Sequence, residues 1–375
     1  MQSKALTIAI IELGTHHEVL WSVYHQCRTE YEHIHVITTD QNHMFLKQEL
    51  KPGDSTSMHI TKPNTSLDSL FKSLAQVFEA CDHILITTLL PRHFSYFIDW
   101  RFRKKSLLLI HDLHFHFASD IYRIAPSSIK EIARLLKYKI KQYQSLAISI
   151  VKEYRCLACS ASVLSYAIQN QYESVVDHLN LGLSISRNKP LAKRNEITIV
   201  IPGSVSSSRR DYEPVLSALG QCQLDQAMTL ILAGSIEDRS GQGIIENFKK
   251  INHPLIEVKS YESEISHELY LKILSEADYL LLPIAEYKNT EIIKERYGYS
   301  SHSGAIQDIT RYGTPTMIPS HYPIPDAINH LVRTYTNAEM LQSLLEECTP
   351  QELKLYEYVK DRGVKELFMK HLKLM

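Results

Sequence analysis

The chain has 375 residues, 44% hydrophobic and 22% charged, with a net charge of -1. That length exceeds one ordinary core and suits two domains, and the neutral balance excludes a global basic field that would draw nucleic acid. The apolar runs Ile84–Leu90, Leu107–Ile110 and Tyr279–Pro283 are too short to span a bilayer.

The amino terminus, MQSKALTIAIIELG, lacks the apolar length and cleavage site of a signal peptide and reads as a first strand, Thr7–Leu13. A turn, Gly14-Thr15-His16-His17-Glu18, leads to a helix over Val19–Cys27 and a strand over His33–Thr38. Residues 40–66 read as loop with a short strand near Met58–Ile60. Leu67–Ala80 spaces its apolar residues as a helix, Asp82–Thr88 is a strand, and a Pro91 turn leads to a helix through Trp100. Ser106–Ile110 is a strand that ends in His111-Asp112-Leu113-His114. One long helix is predicted from Ser127 to about residue 155, then a strand over Arg155–Cys159, a helix over 162–170 capped by Ser160, and a strand over Val175–Leu181. This alternation argues a parallel, doubly wound sheet.

Gly182 to Glu196 is polar and basic and reads as a linker. A second alternation follows, with strands at Ile197–Ile201, Met228–Ala233, Ile256–Lys259 and Tyr279–Leu282. Helices are expected over Tyr212–Gly220, Gly241–Asn252 and Ser266–Glu276. The stretch YSSHSGAIQDITRYGTPTMIP, residues 299–319, reads as polar loop, helix and buried strand. Ser301 or Ser303 is the expected N-cap and Gly313 the stop. A helix start ringed with hydroxyls and a glycine is a candidate phosphate cradle, and an ordinary capped helix is the alternative. The boundaries are 1–185 for a first domain, 195–340 for a second, and 341–375 for a helical tail that packs back on the first.

The ordered set of segments resembles a GT-B glycosyltransferase of glycosyltransferase family 4 and its relatives. Gly14-Thr15-His16-His17 sits where that family has its glycine-rich acceptor loop, and His111-Asp112 where it has a histidine. Pro202-Gly203 through Arg209-Arg210 resembles its Gly-Arg turn for the diphosphate. Leu232-Ala233-Gly234 and Ala277-Asp278 through Pro283 resemble two further strand ends. The resemblance implies an α/β fold of two Rossmann-like, doubly wound domains facing a central cleft. It also implies sugar transfer from a UDP- or GDP-linked donor to a saccharide or lipid-linked acceptor, in surface polysaccharide or glycolipid synthesis. The chain departs from the family's E-x7-E pattern, because the two slots counted back from Gly313 hold Ser300 and Asp308.

Such a transfer needs a neutralised diphosphate and a base for the acceptor hydroxyl. The candidate donor-binding residues are Gly203, Ser204, Arg209, Arg210, Gly234, Ser301, His302, Ser303, Gly304, Ala305 and Asp308. A guanidinium forks onto phosphate oxygens, and the glycines let backbone approach them. Asp112, His111 and His114 are the candidate catalytic residues, and Gly14, Thr15, His16 and His17 the acceptor-side ones. No cofactor and no metal is expected, because arginine and helix amides supply the charge. Lys130, Arg134, Lys137, Lys139 and Lys141 beside Ile129, Ile132, Leu136 and Ile140 make helix 127–155 basic and amphipathic. It is either a packed helix with a solvated face or a contact with the inner face of a membrane, for a protein otherwise expected in the cytoplasm. The alternative functions are a nucleotide-sugar 2-epimerase and a non-catalytic partner subunit.

Overall fold

The alternation of strands and helices builds two parallel sheets. The computed structural model describes residues 5–47, 50, 54–62, 66–117, 123–126, 128–181, 196–236, 239–290, 292–350 and 364–372. The expected linker at 182–195 lies outside the described residues. The chain divides into two compact units. Residues 1–181, 289–302 and 360–375 form the first, and 182–288 with 303–359 the second.

The first unit runs β1 (Thr7–Glu12), α1 (His17–Arg28), β2 (His33–Thr39), α2 (Asp40–Lys47), β3 (Thr56–Thr61), α3 (Leu67–Ser73), α4 (Ala75–Ala80) and β4 (His83–Thr88). It continues with α5 (Phe94–Ile98), β5 (Ser106–Ile110), α6 (Leu113–Phe117), α7 (Ile129–Ile140), α8 (Tyr143–Glu153), β6 (Arg155–Ala158), α9 (Ala161–Gln169) and β7 (Val175–His178). The strand order is β3-β2-β1-β4-β5-β6-β7, all parallel. Ile8 to Ile11 of β1 are fully buried, as a central strand covered on both faces requires.

The second unit holds β8 (Glu196–Pro202), α10 (Glu213–Gln221), β9 (Ala227–Ala233), α11 (Arg239–Lys249), β10 (Ile256–Ser260), α12 (His267–Glu276) and β11 (Tyr279–Leu281). β12 (Tyr287–Thr290) and β13 (Ile293–Arg296) pair as a two-stranded ribbon, and β13 belongs to the first unit. The second unit resumes with α13 (Ala305–Tyr312), β14 (Thr316–Pro319), β15 (Val332–Tyr335) and α14 (Ala338–Glu346). Its sheet order is β10-β9-β8-β11-β14-β15, again parallel. Of the expected tail, α14 sits in the second unit, packed on α10. α15 (Val364–Leu372) packs on α1 of the first.

Three local expectations are corrected. Asp40–Lys47 is a helix where loop is expected, and the short strand expected near Met58–Ile60 is an edge strand of six residues. The helix expected over 67–80 breaks at Leu74 into α3 and α4. The helix expected over 127–155 is two helices, α7 and α8, separated at Gln142, whose φ of 51° is left-handed. No glycine or proline marks that break in the sequence. All six cysteines are buried, and none is in a disulfide.

Candidate functional site

In each doubly wound sheet the strand order reverses direction beside the first strand, and ligands bind at the carboxyl ends of strands there. In the first unit those ends belong to β1, β4 and β5. β1 ends in Glu12, a carboxylate buried to 0% exposure at the end of an otherwise apolar strand. The hydroxyls of Thr87 and Thr88 both donate to its Oε2 at 2.6 Å, and the Gly14 amide donates to Oε1 at 2.8 Å. Burial still pushes the Glu12 carboxyl above its usual range, against the charge of His16 and these hydrogen bonds. A Cβ on Gly14 would lie 2.8 Å from Thr88 Cγ2 and 3.0 Å from Glu12 Oε1, so the turn closes tightly only with glycine. Thr15, next in the turn, is exposed.

His16 stacks on His111, with ring centres 4.5 Å apart and planes within 10°. The Nε2 of His111 is 2.7 Å from the Thr87 carbonyl, which only accepts. A neutral His111 therefore carries its hydrogen on Nε2, and its Nδ1 faces the Cys159 thiol at 3.7 Å. Glu18, in the first turn of α1, lies 3.8 Å from His16 Nδ1 and 3.6 Å from His17 Nδ1. Burial alone would lower the His16 pKa, but Glu18, Glu12 and Asp112 outweigh it and raise it. Burial alone would raise Glu18, but the imidazoles of His16 and His17 beside it hold it at about 2. His17 stacks on Phe45 with centres 4.0 Å apart.

Asp112 accepts from the Thr290 hydroxyl at 3.0 Å, and its backbone pairs in antiparallel fashion with Ser301. His114 differs from its expected catalytic part. It is 4% exposed, its Nδ1 donates to the Lys294 carbonyl at 2.8 Å, and its Nε2 meets the Tyr166 hydroxyl at 3.0 Å. Burial lowers its pKa. Both nitrogens are engaged, so His114 ties α6 to the β13 segment. Glu295, fully buried, accepts from the His114 and Phe115 amides at 3.3 and 2.7 Å and fixes the same turn.

The predicted phosphate loop divides. Ser300, Ser301 and His302 belong to the first unit, where Leu113 N donates to Ser300 O at 2.7 Å and His302 N to His111 O at 3.4 Å. Ser301 is fully buried and its hydroxyl donates to the His302 carbonyl at 3.3 Å, so it caps no helix. Ser303, Gly304 and Ala305 open α13 in the second unit. Neither Ser301 nor Ser303 serves as the expected N-cap. Gly304 holds that place, without a side-chain cap, and is exposed. Ile306 N bonds to Ser303 O and Gln307 N to Gly304 O, which leaves the Ser303, Gly304 and Ala305 amides without hydrogen bonds among the described residues. Asp308 in the first turn accepts from the Tyr270 hydroxyl at 2.8 Å.

The turn after β8 is the most constrained feature of the second unit. Gly203 has φ of 84°, and its amide donates to Ala233 O at 3.1 Å. A Cβ on Gly234 would lie 2.2 Å from Gly203 O, and one on Gly241 would lie 2.3 Å from Val205 O. Backbone lies on backbone here, and no side chain fits between. Arg210 braces the turn: its Nη2 donates to Pro202 O and its Nε to Ser204 O at 3.4 Å. Residues on either side are pinned to the end of β11, with Asp211 N to Pro283 O at 2.8 Å and Ala285 N to Arg209 O at 3.1 Å. Arg209 is exposed, and its carbonyl is held by Ala285 N. Arg210, expected beside Arg209 as a phosphate ligand, thus also spends its guanidinium on the turn's own backbone.

A glycosyltransferase from Rickettsia africae superposes on this chain with a TM-score of 0.56 at 14% identity, over 99% of this chain and 98% of that one. The chain has the GT-B fold. The lipopolysaccharide outer core galactosyltransferase WaaB gives 0.51 at 12% identity, covering 98% of both chains. A Listeria monocytogenes protein assigned as a UDP-N-acetylglucosamine 2-epimerase gives 0.50 at 9% identity, over 91% of this chain and 87% of that one. No family model matches the sequence, and no curated protein matches it.

Glu12, Glu18, Thr87 and Tyr270 were not singled out from sequence. A lone carboxylate closing an apolar run, as in TIAIIE, is a legible sign of a buried functional charge. Nothing in the sequence pairs Glu12 with Thr87.

Proposed function

We propose that the protein is a glycosyltransferase that moves a sugar from a UDP- or GDP-linked donor to a saccharide or lipid-linked acceptor, in surface polysaccharide or glycolipid synthesis. The observation that carries this reading is the turn after β8, where Gly203 and Gly234 bring two backbones together and Arg209 stands exposed on a pinned strap. Such a surface suits a diphosphate, which needs close backbone approach and fixed positive charge. The open amides of Ser303, Gly304 and Ala305 add a second set of donors. Together they neutralise the leaving group, and the reading requires no metal and no cofactor.

In the first unit, His16 is the base that suits the acceptor hydroxyl. It is only partly covered, with 39% of its side chain exposed, and its Nδ1 side faces Glu18. The proton passes to its other ring nitrogen, Nε2, and Glu18 stabilises the imidazolium that results. His111, held by Thr87 and Cys159, positions the ring by stacking. Asp112 contributes charge near His16.

Three carboxylates near His16, those of Glu12, Glu18 and Asp112, also favour proton abstraction by a 2-epimerase. A thermal-shift screen of the whole chain against nucleotide sugars tests the reading. One UDP- or GDP-sugar raises the midpoint, and with an acceptor the nucleoside diphosphate is released. Interconversion of two nucleotide sugars without acceptor would move the assignment to an epimerase. A flat screen would leave a non-catalytic subunit.

A further inference from the structure

α7 carries two faces, and its apolar one points away from the protein. Glu131 and Leu135 are half-buried and Tyr138 is buried, and Leu135 and Tyr138 join the core of the first unit. At about 100° per residue, Ile129, Ile132, Leu136 and Ile140 fall together on the opposite side. They are 85%, 46%, 53% and 75% exposed. Four of the eleven large exposed hydrophobics among the described residues thus sit on one helix, where single scattered ones are the norm. Lys130, Arg134, Lys137 and Lys141 line one flank of the stripe, Lys139 lies on the other, and all five are exposed. Glu131 is the helix's one acid, and it lies on the body side.

We propose that α7 docks the protein on an anionic lipid surface. The helix is 12 residues long, about 18 Å, which is too short to cross a bilayer but suits lying in its interface. The isoleucines and leucine enter the acyl boundary while the flanking cations meet acidic headgroups. A second copy of this chain is a poor occupant, because two such faces would bring like charges together. The proposal does not depend on the transferase reading.

The test is sedimentation of the full chain with vesicles of phosphatidylcholine alone and of phosphatidylcholine mixed with phosphatidylglycerol, at low and high salt. The protein is expected to pellet with the anionic vesicles, less so at high salt, and to stay in solution with the neutral ones. Each lost cation weakens binding roughly five-fold, so Lys130→Gln with Arg134→Gln and Lys137→Gln lowers it on the order of a hundred-fold. Ile129→Gln with Ile140→Gln lowers it as well, and both variants keep the wild-type circular dichroism and melting midpoint. Equal pelleting of the variants, or no pelleting of the wild type, would overturn the proposal. So would concentration-dependent dimerisation of the wild type that Ile129→Gln with Ile140→Gln abolishes while vesicles are ignored.

Discussion

The imidazoles of His16 and His111 lie face to face, 4.5 Å between centres, at the carboxyl edge of the first sheet. One ring is held by the Thr87 carbonyl and the other leans on Glu18. A pair in which the partner is fixed and the exposed ring carries a carboxylate behind it is suited to moving one proton.

His16→Asn is therefore expected to lower turnover about a hundred-fold or more, the usual cost of a lost general base. The pH profile gives the sharper check. Glu18 stabilises the imidazolium and raises the His16 pKa. The base works deprotonated, so activity rises as pH passes that pKa. Removing the charge with Glu18→Gln lowers the pKa, and the rise should move to lower pH. A profile that stays in place, or moves to higher pH, would rule His16 out.

Asp177 ties the last helix to the first unit. It accepts from Lys370 Nζ at 2.6 Å and from His371 Nε2 at 3.0 Å. Burial opposes its ionisation, but these hydrogen bonds win and hold the carboxyl well below its usual range. A depressed folded-state pKa gives stability that is complete above the unfolded value of about 3.9 and fades as pH falls toward the folded value. Asp177→Asn should therefore cost about 2 kcal/mol near neutrality and progressively less in acid. Urea unfolding of both proteins across that range checks it. A gap that does not shrink in acid would contradict the assignment.

At the start of α13, Ser303→Ala should leave the melting midpoint almost unchanged, because Gly304 and not Ser303 holds the cap position and no side chain caps it. Gly304→Val should also fold, since its φ of -57° suits any residue. The valine crowds the open amides, so UDP and GDP affinity should fall. Calorimetric titration of both variants decides; full affinity in Gly304→Val would remove this helix end from the site.

Much of the fold was legible because central strands such as β1, β5 and β8 are short apolar runs bounded by turn residues. The edge was less so: β3, TSMHIT, is half-buried, and its polar sequence shows only a short strand near Met58–Ile60. The Gln142 break was hidden because a glutamine in the left-handed region carries no compositional mark. Among the candidate residues, Gly203, Gly234, Arg209 and His16 could be proposed from their place after strands. The parts of Arg210 and His114 could not. A brace to Pro202 O and a bond to Lys294 O are tertiary contacts, and neither a spacing nor a residue type announces them. The division of the serine loop between Ser301 and Ser303 is of the same kind, set by pairing with Asp112 far back in the chain.

Arg209 probes the diphosphate site proposed at the turn after β8. Its side chain is exposed, and its backbone is held by Ala285 N, so its loss should leave the fold intact. A charge-assisted contact of ~1.5–3 kcal/mol predicts that Arg209→Ala weakens UDP or GDP binding about ten- to a hundred-fold at an unchanged melting midpoint. Titration calorimetry of wild type and variant gives the answer. Binding of equal strength in both, or none by the wild type, would remove the turn after β8 as the diphosphate site.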